Sequence, residues 1–277
     1  MIEQIDKYTK EITSKLGNNL EALILVGSYS RGESIEGGSD IEFWAVVKNL
    51  TMKKPKIDKY ITLGFTTRGH LKRLKPYIYT IEVKKYGKVL YGDKDILSLI
   101  PDYSFNDIDI IDGFILLNNR LIEQLILFNK IMNEESVSQY EFDKGYIQLV
   151  NALLIFDKKY RSLYPEKIEQ FRRLNISNEQ FRKRIEDTFI SIKQPPELID
   201  KSKALEKWME LREYFKFVWI NELNGFKGIK GWLKIAASGN PLRVFIYTKA
   251  AKLYFSQGYK NNKEKDVVIR RWEQFIK

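Results

Sequence analysis

The spacing of the hydrophobic residues changes part-way along this chain, and the change limits the folds that it can adopt. Up to about residue 104, apolar residues come in runs of six or seven, separated by glycine-rich or basic segments, as buried strands do. From Ile110 onward, they recur every three or four positions, the spacing of amphipathic helices. The sequence therefore predicts an α/β (α+β) protein, with a small mixed sheet domain over residues 1–104 and an α-helical domain over residues 105–277.

The first domain is expected to contain one helix and then several strands. Isoleucine and leucine residues recur at helical spacing up to Leu16, so this charged N-terminal segment is interpreted as folded structure rather than a leader. No apolar run approaches the ~20 residues of a membrane-spanning helix. Strands are predicted at residues 21–26, 41–47, 60–65 and 77–83, and a further short strand is predicted just before the glycine turn at Gly92-Asp93.

The composition limits the chemistry of any metal site. The chain has no cysteine and a single histidine, His70. This excludes disulfides, iron–sulfur clusters, cysteine nucleophiles and zinc sites built from several cysteines or histidines. Any metal is expected to be held by carboxylate oxygens, which favours Mg²⁺ or Mn²⁺. The absence of cysteine also fits a reducing compartment, so we expect a cytoplasmic protein.

The positive charge of the chain is concentrated in two segments. Residues 53–88 hold eleven lysines and arginines against two acids, and residues 227–277 hold twelve against three. Such segments attract polyanions, so nucleoside triphosphates or RNA are candidate partners. Lysine-rich surfaces also serve solubility alone, and charge by itself does not separate the two interpretations.

Two acidic residues open the second predicted strand. Asp40 and Glu42 are separated by one residue, so on a strand both carboxylates point to the same face while Ile41 and Phe43 face the other. Neighbouring anions repel unless a cation lies between them, and two carboxylates suit a magnesium ion that also keeps water and phosphate ligands. The pair therefore predicts a divalent metal site.

A Gly-Ser pair ends the first predicted strand, twelve residues before this acidic pair. Gly27 and Ser28 can bring backbone N–H groups and a hydroxyl close to a phosphate, and residues 28–33 are long enough to begin a short helix. Arg31 adds a positive charge to the same loop. The loop therefore predicts a phosphate site, although Arg31 is also compatible with a solvated surface residue.

The segment LVGSYSRGESIEGGSDIEFWAVV resembles the signature of the polymerase β-like nucleotidyltransferase superfamily, in which Gly-Ser precedes an Asp-x-Asp or Asp-x-Glu pair by about a dozen residues. The match covers residues 23–47. It is most similar to the small aminoglycoside (kanamycin-type) and antitoxin-type members. The resemblance implies transfer of a nucleoside monophosphate, with ATP the favoured donor, to an acceptor hydroxyl and release of pyrophosphate. Residues 1–104 would form the catalytic domain and residues 105–277 the acceptor-binding domain.

The resemblance also implies roles for particular residues. Two metal ions would be held mainly by Asp40 and Glu42. The nucleotide would be held by a second group of residues from the same loop and strand, which are Gly27, Ser28, Arg31 and Ser39.

Members of the superfamily usually carry a third acid on a strand beside the acidic pair, as a metal ligand or a base. Glu82 in YTIEV is the preferred candidate, because it is isolated from other acids on a predicted strand. A competing alignment puts the third position at Thr62, where the acid is absent. Asp93 and Asp95 follow a glycine turn and are interpreted as turn and cap residues.

Three features of the remaining chain have weaker interpretations. Asp157, after Phe156, is a possible general base by similarity to a Phe-Glu pair in the kanamycin-type enzymes, or a solvated helix end. His70 either contacts a phosphate or a nucleobase of the nucleotide, or is a surface imidazole. Aromatic residues alternate with cations near the C-terminus and suggest either RNA stacking or helix core; they are Phe226, Trp232, Phe245, Tyr247 and Tyr254.

The motif does not identify the acceptor. A small hydroxylated molecule, a protein side chain and an RNA 3′ end all stay open. Two other functions also stay open. One is a non-catalytic nucleotide or RNA sensor on the same scaffold. The other is a nucleic-acid-binding module whose affinity for RNA depends on the basic segments rather than on Asp40.

Overall fold

A computed structural model of the chain describes residues 2–51, 55–58, 61–222 and 241–276. The chain divides into two compact units, Met1–Ile108 and Asp109–Lys277, which we call the sheet unit and the helical unit. The division lies four residues after the boundary expected from the change in hydrophobic spacing. The mixture of a small sheet and many helices confirms the predicted fold class.

The sheet unit is built on a four-stranded mixed sheet. The strand order is β3-β2-β1-β4, in which β1 is antiparallel to β2 and β4, while β2 and β3 run parallel. The strands are β1 (Leu20–Val26), β2 (Ile41–Val47), β3 (Ile61–Thr66) and β4 (Lys88–Gly92), and the helices are α1 (Ile2–Leu16), α2 (Gly27–Arg31), α3 (Arg68–Leu71) and α4 (Ile78–Tyr86).

The two faces of this sheet are covered by different elements. Alternate residues of β2 belong to different apolar clusters, as the period of two in a strand requires. Ile41 and Phe43 pack in the cluster that contains Ile12 of α1, and Val46 packs with Val83 of α4 on the opposite face. Each helix therefore covers one face, and the side chains of Glu42 and Trp44 belong to the α4 face.

One predicted strand of the sheet unit is wrong. Residues 77–83 were expected to be extended, but Ile78–Tyr86 is helix α4. Thr80, Ile81 and Val83 of this helix are buried. The β-branched and aromatic residues favour a strand locally, but this preference is weak compared with the burial of apolar residues against the sheet. The predicted strands at β1 to β4 are confirmed, with bounds that differ by one residue or so.

The helical unit has long helices with buried apolar faces, as the spacing of its apolar residues predicts. Trp208 and Phe142 are among its fully buried side chains. No helix in the part of the chain that the structure describes is long and apolar enough to cross a membrane. The elements of the helical unit are α5 (Ile110–Met132), β5 (Val137–Ser138), α6 (Gln139–Phe156), α7 (Tyr164–Arg172), α8 (Glu179–Ser191), β6 (Leu198–Ile199), α9 (Lys201–Phe217), a π-helical turn (Val218–Glu222), α10 (Pro241–Phe255) and α11 (Asn262–Ile276).

Candidate functional site

The carboxylate of Glu42 lies directly against Gly27. Glu42 opposes Val26, the last residue of β1, in the antiparallel pairing of β1 and β2. Gly27 has a φ of +70°, and a Cβ atom at this position would lie 1.7 Å from Glu42 Oε2. Only glycine allows both the left-handed backbone and the close approach. The structure therefore brings together the glycine turn and one of the two predicted metal ligands.

The other predicted metal ligand, Asp40, stands just before β2. Its side chain is exposed, and it forms no hydrogen bond or ion pair with any described residue. Ser28 lies in the first turn of α2, and its hydroxyl likewise has no hydrogen-bond partner in the described part of the chain. A carboxylate and a hydroxyl without protein partners are available to a bound ligand.

The loop between α2 and β2 is closed by Ser39. The Ser39 hydroxyl accepts a hydrogen bond from the backbone N–H of Ile35 at 2.9 Å, and the Ser39 N–H donates to the Ile35 carbonyl at the same distance. These bonds fix the turn that leads into Asp40. The direct role of Ser39 in nucleotide binding stays a prediction, and the structure shows it shaping the loop.

Arg31 is held by two carboxylates. Its Nη1 donates to Glu82 Oε2 at 2.8 Å, and its Nε donates to Glu33 Oε2 at 3.2 Å. Only 12% of the Arg31 side chain is exposed, and the two acids are similarly covered. Because two negative charges surround one guanidinium, this cluster has no net positive charge to offer a phosphate. Arg31 ties α2 to α4 in this conformation.

The expected position of Glu82 is also corrected. Glu82 lies on helix α4 and not on a strand, and the residue of β3 that pairs with Glu42 is Thr62. Thr62 is exposed, and β3 contains no acidic residue. Among the described residues, no three acidic or histidine side chains are grouped so that they could hold one metal ion. The strand position of Glu82 is therefore wrong, and its role as a metal ligand stays a prediction.

Trp44, Tyr77 and Tyr79 form an aromatic cluster on the face of the sheet to which Glu42 belongs, and no sequence motif marks it. Trp44 follows Glu42 by two residues on the same face of β2, and its indole lies across Gly64, where a Cβ atom would be 2.6 Å from Trp44 Cδ1. The ring of Tyr79 packs edge-on to Trp44 with centroids 5.7 Å apart, and Tyr77 stacks on Tyr79 at 6.2 Å. The available signal was the period of two along β2.

Comparison with known proteins gives the same fold. No family model matches this sequence, and no curated protein matches it significantly. Among solved structures, the chain is similar to spectinomycin adenyltransferase AAD(9) from Enterococcus faecialis, crystallised with ATP and spectinomycin. That superposition has a TM-score of 0.52 and 18% identity, and it covers 78% of this chain and 99% of the other. The chain has a nucleotidyltransferase fold.

A second solved structure is a nucleotidyltransferase-like protein from Exiguobacterium sibiricum 255-15. It matches with a TM-score of 0.26 and 12% identity, over 79% of this chain and 80% of the other. This superposition is too loose to carry an argument. The nucleotidyltransferase fold therefore rests on the first comparison.

The other candidate residues belong to elements other than β1, α2 and β2. Asp157 is the exposed C-cap of α6, and its Oδ2 lies 2.5 Å from Lys159 Nζ. His70 is exposed on α3. Asp93 accepts a hydrogen bond from the Asp95 N–H and pairs with Arg68, and these two partners lower the pKa of its carboxyl. This geometry agrees with the interpretation of Asp93 as a turn residue.

Two of the three predicted RNA-stacking rings that the structure describes are core residues. Tyr247 and Tyr254 are buried in the helical unit, and the Tyr247 hydroxyl donates to Asn119 Oδ1. Phe245 is half exposed, with the Arg271 guanidinium 5.5 Å from the centre of its ring. Tyr247 and Tyr254 are therefore not available for stacking with RNA. The candidates Phe226 and Trp232 lie outside the described residues.

Proposed function

We propose that this protein is a metal-dependent nucleotidyltransferase that moves a nucleoside monophosphate, with ATP the favoured donor, to an acceptor hydroxyl. One observation carries the proposal, the contact between the Glu42 carboxylate and Gly27 at the ends of β1 and β2. It puts the carboxylate of Glu42 next to a turn that is followed by the Ser28 hydroxyl. The fold similarity to an adenyltransferase supports the same reaction class.

The residues Asp40 and Glu42 fit a divalent cation. Glu42 offers a carboxylate on the α4 face of the sheet, and Asp40, two residues earlier in the chain, is exposed and has no partner among the described residues. Two protein carboxylates suit Mg²⁺ or Mn²⁺, which keep several water and phosphate ligands. When bound, the ion neutralises charge on the phosphates and on the attacking and leaving oxygens. The third protein ligand expected at Glu82 is not part of this proposal, since Glu82 pairs with Arg31.

The nucleotide is proposed to bind with its terminal phosphates at Gly27 and Ser28. The Ser28 hydroxyl donates to a phosphate oxygen, and the left-handed backbone of Gly27 lets the chain approach the phosphates without a side chain. In the transfer step, the acceptor oxygen bonds to the α-phosphorus as the bond to the pyrophosphate oxygen breaks. The role of Asp157 as the base that takes the proton of the acceptor hydroxyl stays a prediction.

The acceptor is proposed to be a small hydroxylated molecule. The adenyltransferase with the similar fold was crystallised with ATP and spectinomycin. A protein side chain and an RNA 3′ end are the alternative acceptors. The burial of Tyr247 and Tyr254 removes one argument for RNA. The cytoplasmic location stays an expectation from the cysteine-free composition.

The test is release of pyrophosphate from labelled ATP, GTP, CTP and UTP with Mg²⁺ over fractionated cell extract. Asp40→Ala is expected to lower the rate about 10³-fold, since it removes several kcal/mol of charge stabilisation from the transition state. Glu36→Ala is the matched control, because Glu36 is an exposed acid of the same loop. Equal rates for the wild type and Asp40→Ala would disprove the proposal.

A second function, nucleotide sensing without transfer, is favoured by one observation. Thr62 occupies the strand position beside Glu42, and a threonine hydroxyl is a poor base at neutral pH. A sensor would bind ATP with Mg²⁺ and lose this affinity in Asp40→Ala, but would label no fraction of the extract. Calorimetric titration of ATP beside the labelling assay therefore separates the two functions.

A further inference from the structure

We propose that the helical unit has a second binding site, a cavity between α5, α9 and the turn Gln257–Lys260, which takes a small apolar molecule that carries a carboxylate. The inference goes beyond the proposed nucleotidyl transfer and does not depend on it. The cavity has a volume of about 530 Å³. Pockets that hold small organic ligands have volumes of roughly 300–1,000 Å³, so the cavity is large enough for such a molecule.

The walls of the cavity are apolar. Phe128 of α5 and Tyr259 of the turn are nearly buried and form an aromatic surface, and Trp208 of α9 packs behind it, with its ring centre 4.7 Å from that of Phe128 and 5.0 Å from that of Tyr259. Three further apolar side chains line the cavity and are 36% to 48% exposed; they are Met132, Leu205 and Met209. Large apolar residues that stay exposed around one cavity indicate a surface that binds a partner.

Two methionines among these residues suit an alkyl or aryl group. Met132 ends α5 and Met209 lies on α9, so they line the cavity from two different helices. An unbranched thioether side chain adapts its shape to an apolar ligand at low cost. The apolar part of the ligand is therefore expected to pack between these helices and over the aromatic surface.

The charge that lines the cavity is positive. None of the described residues that line it is acidic, and its polar side chains are those of Lys260 and Asn262. Lys260 is exposed, lies 5.9 Å from the centre of the Tyr259 ring and forms no ion pair within the described part of the chain. Arg212 also lies near this ring, at 5.1 Å, but it pairs with Glu213 and adds no net charge. Lys260 is thus available to a carboxylate.

A second lysine lies behind the aromatic surface. Lys265 of α11 is fully buried, with its Nζ 4.6 Å from the centre of the Phe128 ring, and it donates a hydrogen bond to Asn129 Oδ1, a neutral acceptor. Burial lowers the pKa of Lys265 more than the nearby Asp266 carboxylate raises it. A carboxylate bound in the cavity would stabilise the charged form of this lysine, so the cavity favours an anion over a cation.

The test measures the binding of three compounds that share one alkyl chain, namely decanoate, decanol and decyltrimethylammonium. Calorimetry with the full chain, below the concentrations at which micelles form, gives affinity and stoichiometry. Leu205→Glu puts a negative charge into the cavity, and its control is Leu198→Glu, at an exposed apolar residue of β6 outside the cavity. Lys260→Gln removes the lining charge, and its control is Lys263→Gln, at an exposed lysine of α11. Melting temperatures show that the variants are folded.

We expect a single decanoate to bind per chain, about tenfold more tightly than decyltrimethylammonium, with decanol between them. Leu205→Glu should weaken decanoate binding by about tenfold or more, because its carboxylate repels the ligand and makes the apolar wall polar. Lys260→Gln should weaken decanoate binding about three- to fivefold, the usual effect of losing an exposed ion pair, and should not change the affinity for decanol. The two control variants should bind decanoate as the wild type does.

Several results would overturn the inference. They are absence of decanoate binding, affinity for decanol or decyltrimethylammonium equal to or above that for decanoate, and decanoate binding that is unchanged by Leu205→Glu or by Lys260→Gln. Sedimentation at several protein concentrations tests another occupant, a second copy of this chain. Self-association that Leu205→Glu abolishes and Leu198→Glu does not would show that the second copy covers the cavity, and would overturn the inference as well.

Discussion

Two carboxylates of this protein, Asp143 in the helical unit and Asp40 in the sheet unit, have opposite surroundings. In the helical unit, Asp143 is 1% exposed and accepts hydrogen bonds from Gln139 Nε2 at 2.7 Å and Ser191 Oγ at 2.8 Å. Nearby, Arg184 forms two hydrogen bonds with Glu210, at 2.9 and 2.7 Å. In the sheet unit, Asp40 is exposed and has no such partner among the described residues.

This difference separates a carboxylate that the fold itself satisfies from one that the fold leaves to solvent. A buried carboxylate is stable only when the chain supplies its hydrogen-bond donors, as Gln139 and Ser191 do for Asp143. The exposed carboxylate of Asp40 is instead left to water and to partners from outside the chain. By this criterion Glu82, which is covered and paired with Arg31, belongs with the structural carboxylates.

The largest effect, a loss of activity at the site of the sheet unit, is expected from Gly27→Ala. The new Cβ atom would lie 1.7 Å from Glu42 Oε2, so the carboxylate must move away from the turn. We expect pyrophosphate release to fall about 100-fold, in the range found when a single charge-stabilising group is displaced. Steady-state kinetics with ATP and Mg²⁺ measures the change.

Gly32→Ala is the matched control for Gly27→Ala. Gly32 has a φ of +74°, close to that of Gly27, but a Cβ atom there meets nothing within 4 Å. Gly32→Ala should lower the free energy of unfolding by about 1 kcal/mol through backbone strain, and it should change the rate of pyrophosphate release by no more than a few-fold. Equal losses of activity in both variants would contradict the role of the contact with Glu42.

The second prediction tests the assignment of Glu82. Glu82→Gln removes the charge that pairs with Arg31 and is expected to lower the free energy of unfolding by roughly 1–3 kcal/mol, because both side chains are largely covered. Affinity for ATP with Mg²⁺ should change less than about threefold. Urea unfolding and calorimetry measure the two quantities, and Glu33→Gln, the other acid on Arg31, is the comparison. Loss of metal-dependent ATP binding at unchanged stability would instead identify Glu82 as a ligand.

The smallest effect, a change in stability that depends on pH, is expected from Asp143→Asn in the helical unit. Burial raises the pKa of the Asp143 carboxyl above its ordinary value of 3.8, more than its hydrogen bonds and the nearby cations Lys207 and Arg184 lower it. A raised folded-state pKa gives stability that is present below pH 3.8 and is lost as the pH rises through the folded-state pKa. The stability of Asp143→Asn relative to the wild type should therefore increase from pH 4 to 7.

Thermal unfolding at several pH values measures this change. Asp187→Asn, at an exposed position of α8, is the control and should show no such increase. A relative stability of Asp143→Asn that falls as the pH rises would show that hydrogen bonds, and not burial, dominate at Asp143.

The sequence was sufficient to predict the structure where residues close together in the chain determine it. Short apolar runs predicted β1, which is closed by Gly27, and β2, which is preceded by Gly37 and Gly38. The period of two predicted that the side chain of Glu42 faces away from the core residues Ile41 and Phe43. These predictions depend on the backbone geometry of a strand and on which residues avoid water. Neither depends on distant parts of the chain.

The sequence was not sufficient where distant segments meet. Arg31 and Glu82 are 51 residues apart, and no local pattern links them. Residues 77–83 have the composition of a strand, but the apolar face of the sheet around Val46 selects the helix that covers it. Local preferences differ by only about 1 kcal/mol, which is less than the burial of two or three apolar side chains contributes.

The amino-acid sequence by itself determined the acidic pair, the glycine turn and their spacing, because each depends on residues within one short segment. Only the tertiary structure decided that Thr62 stands beside Glu42, that Glu82 neutralises Arg31 and that Tyr79 packs on Trp44. These are contacts between separate elements, and they follow from how β3 and α4 pack on the sheet, which is the outcome of many weak apolar contacts made at once.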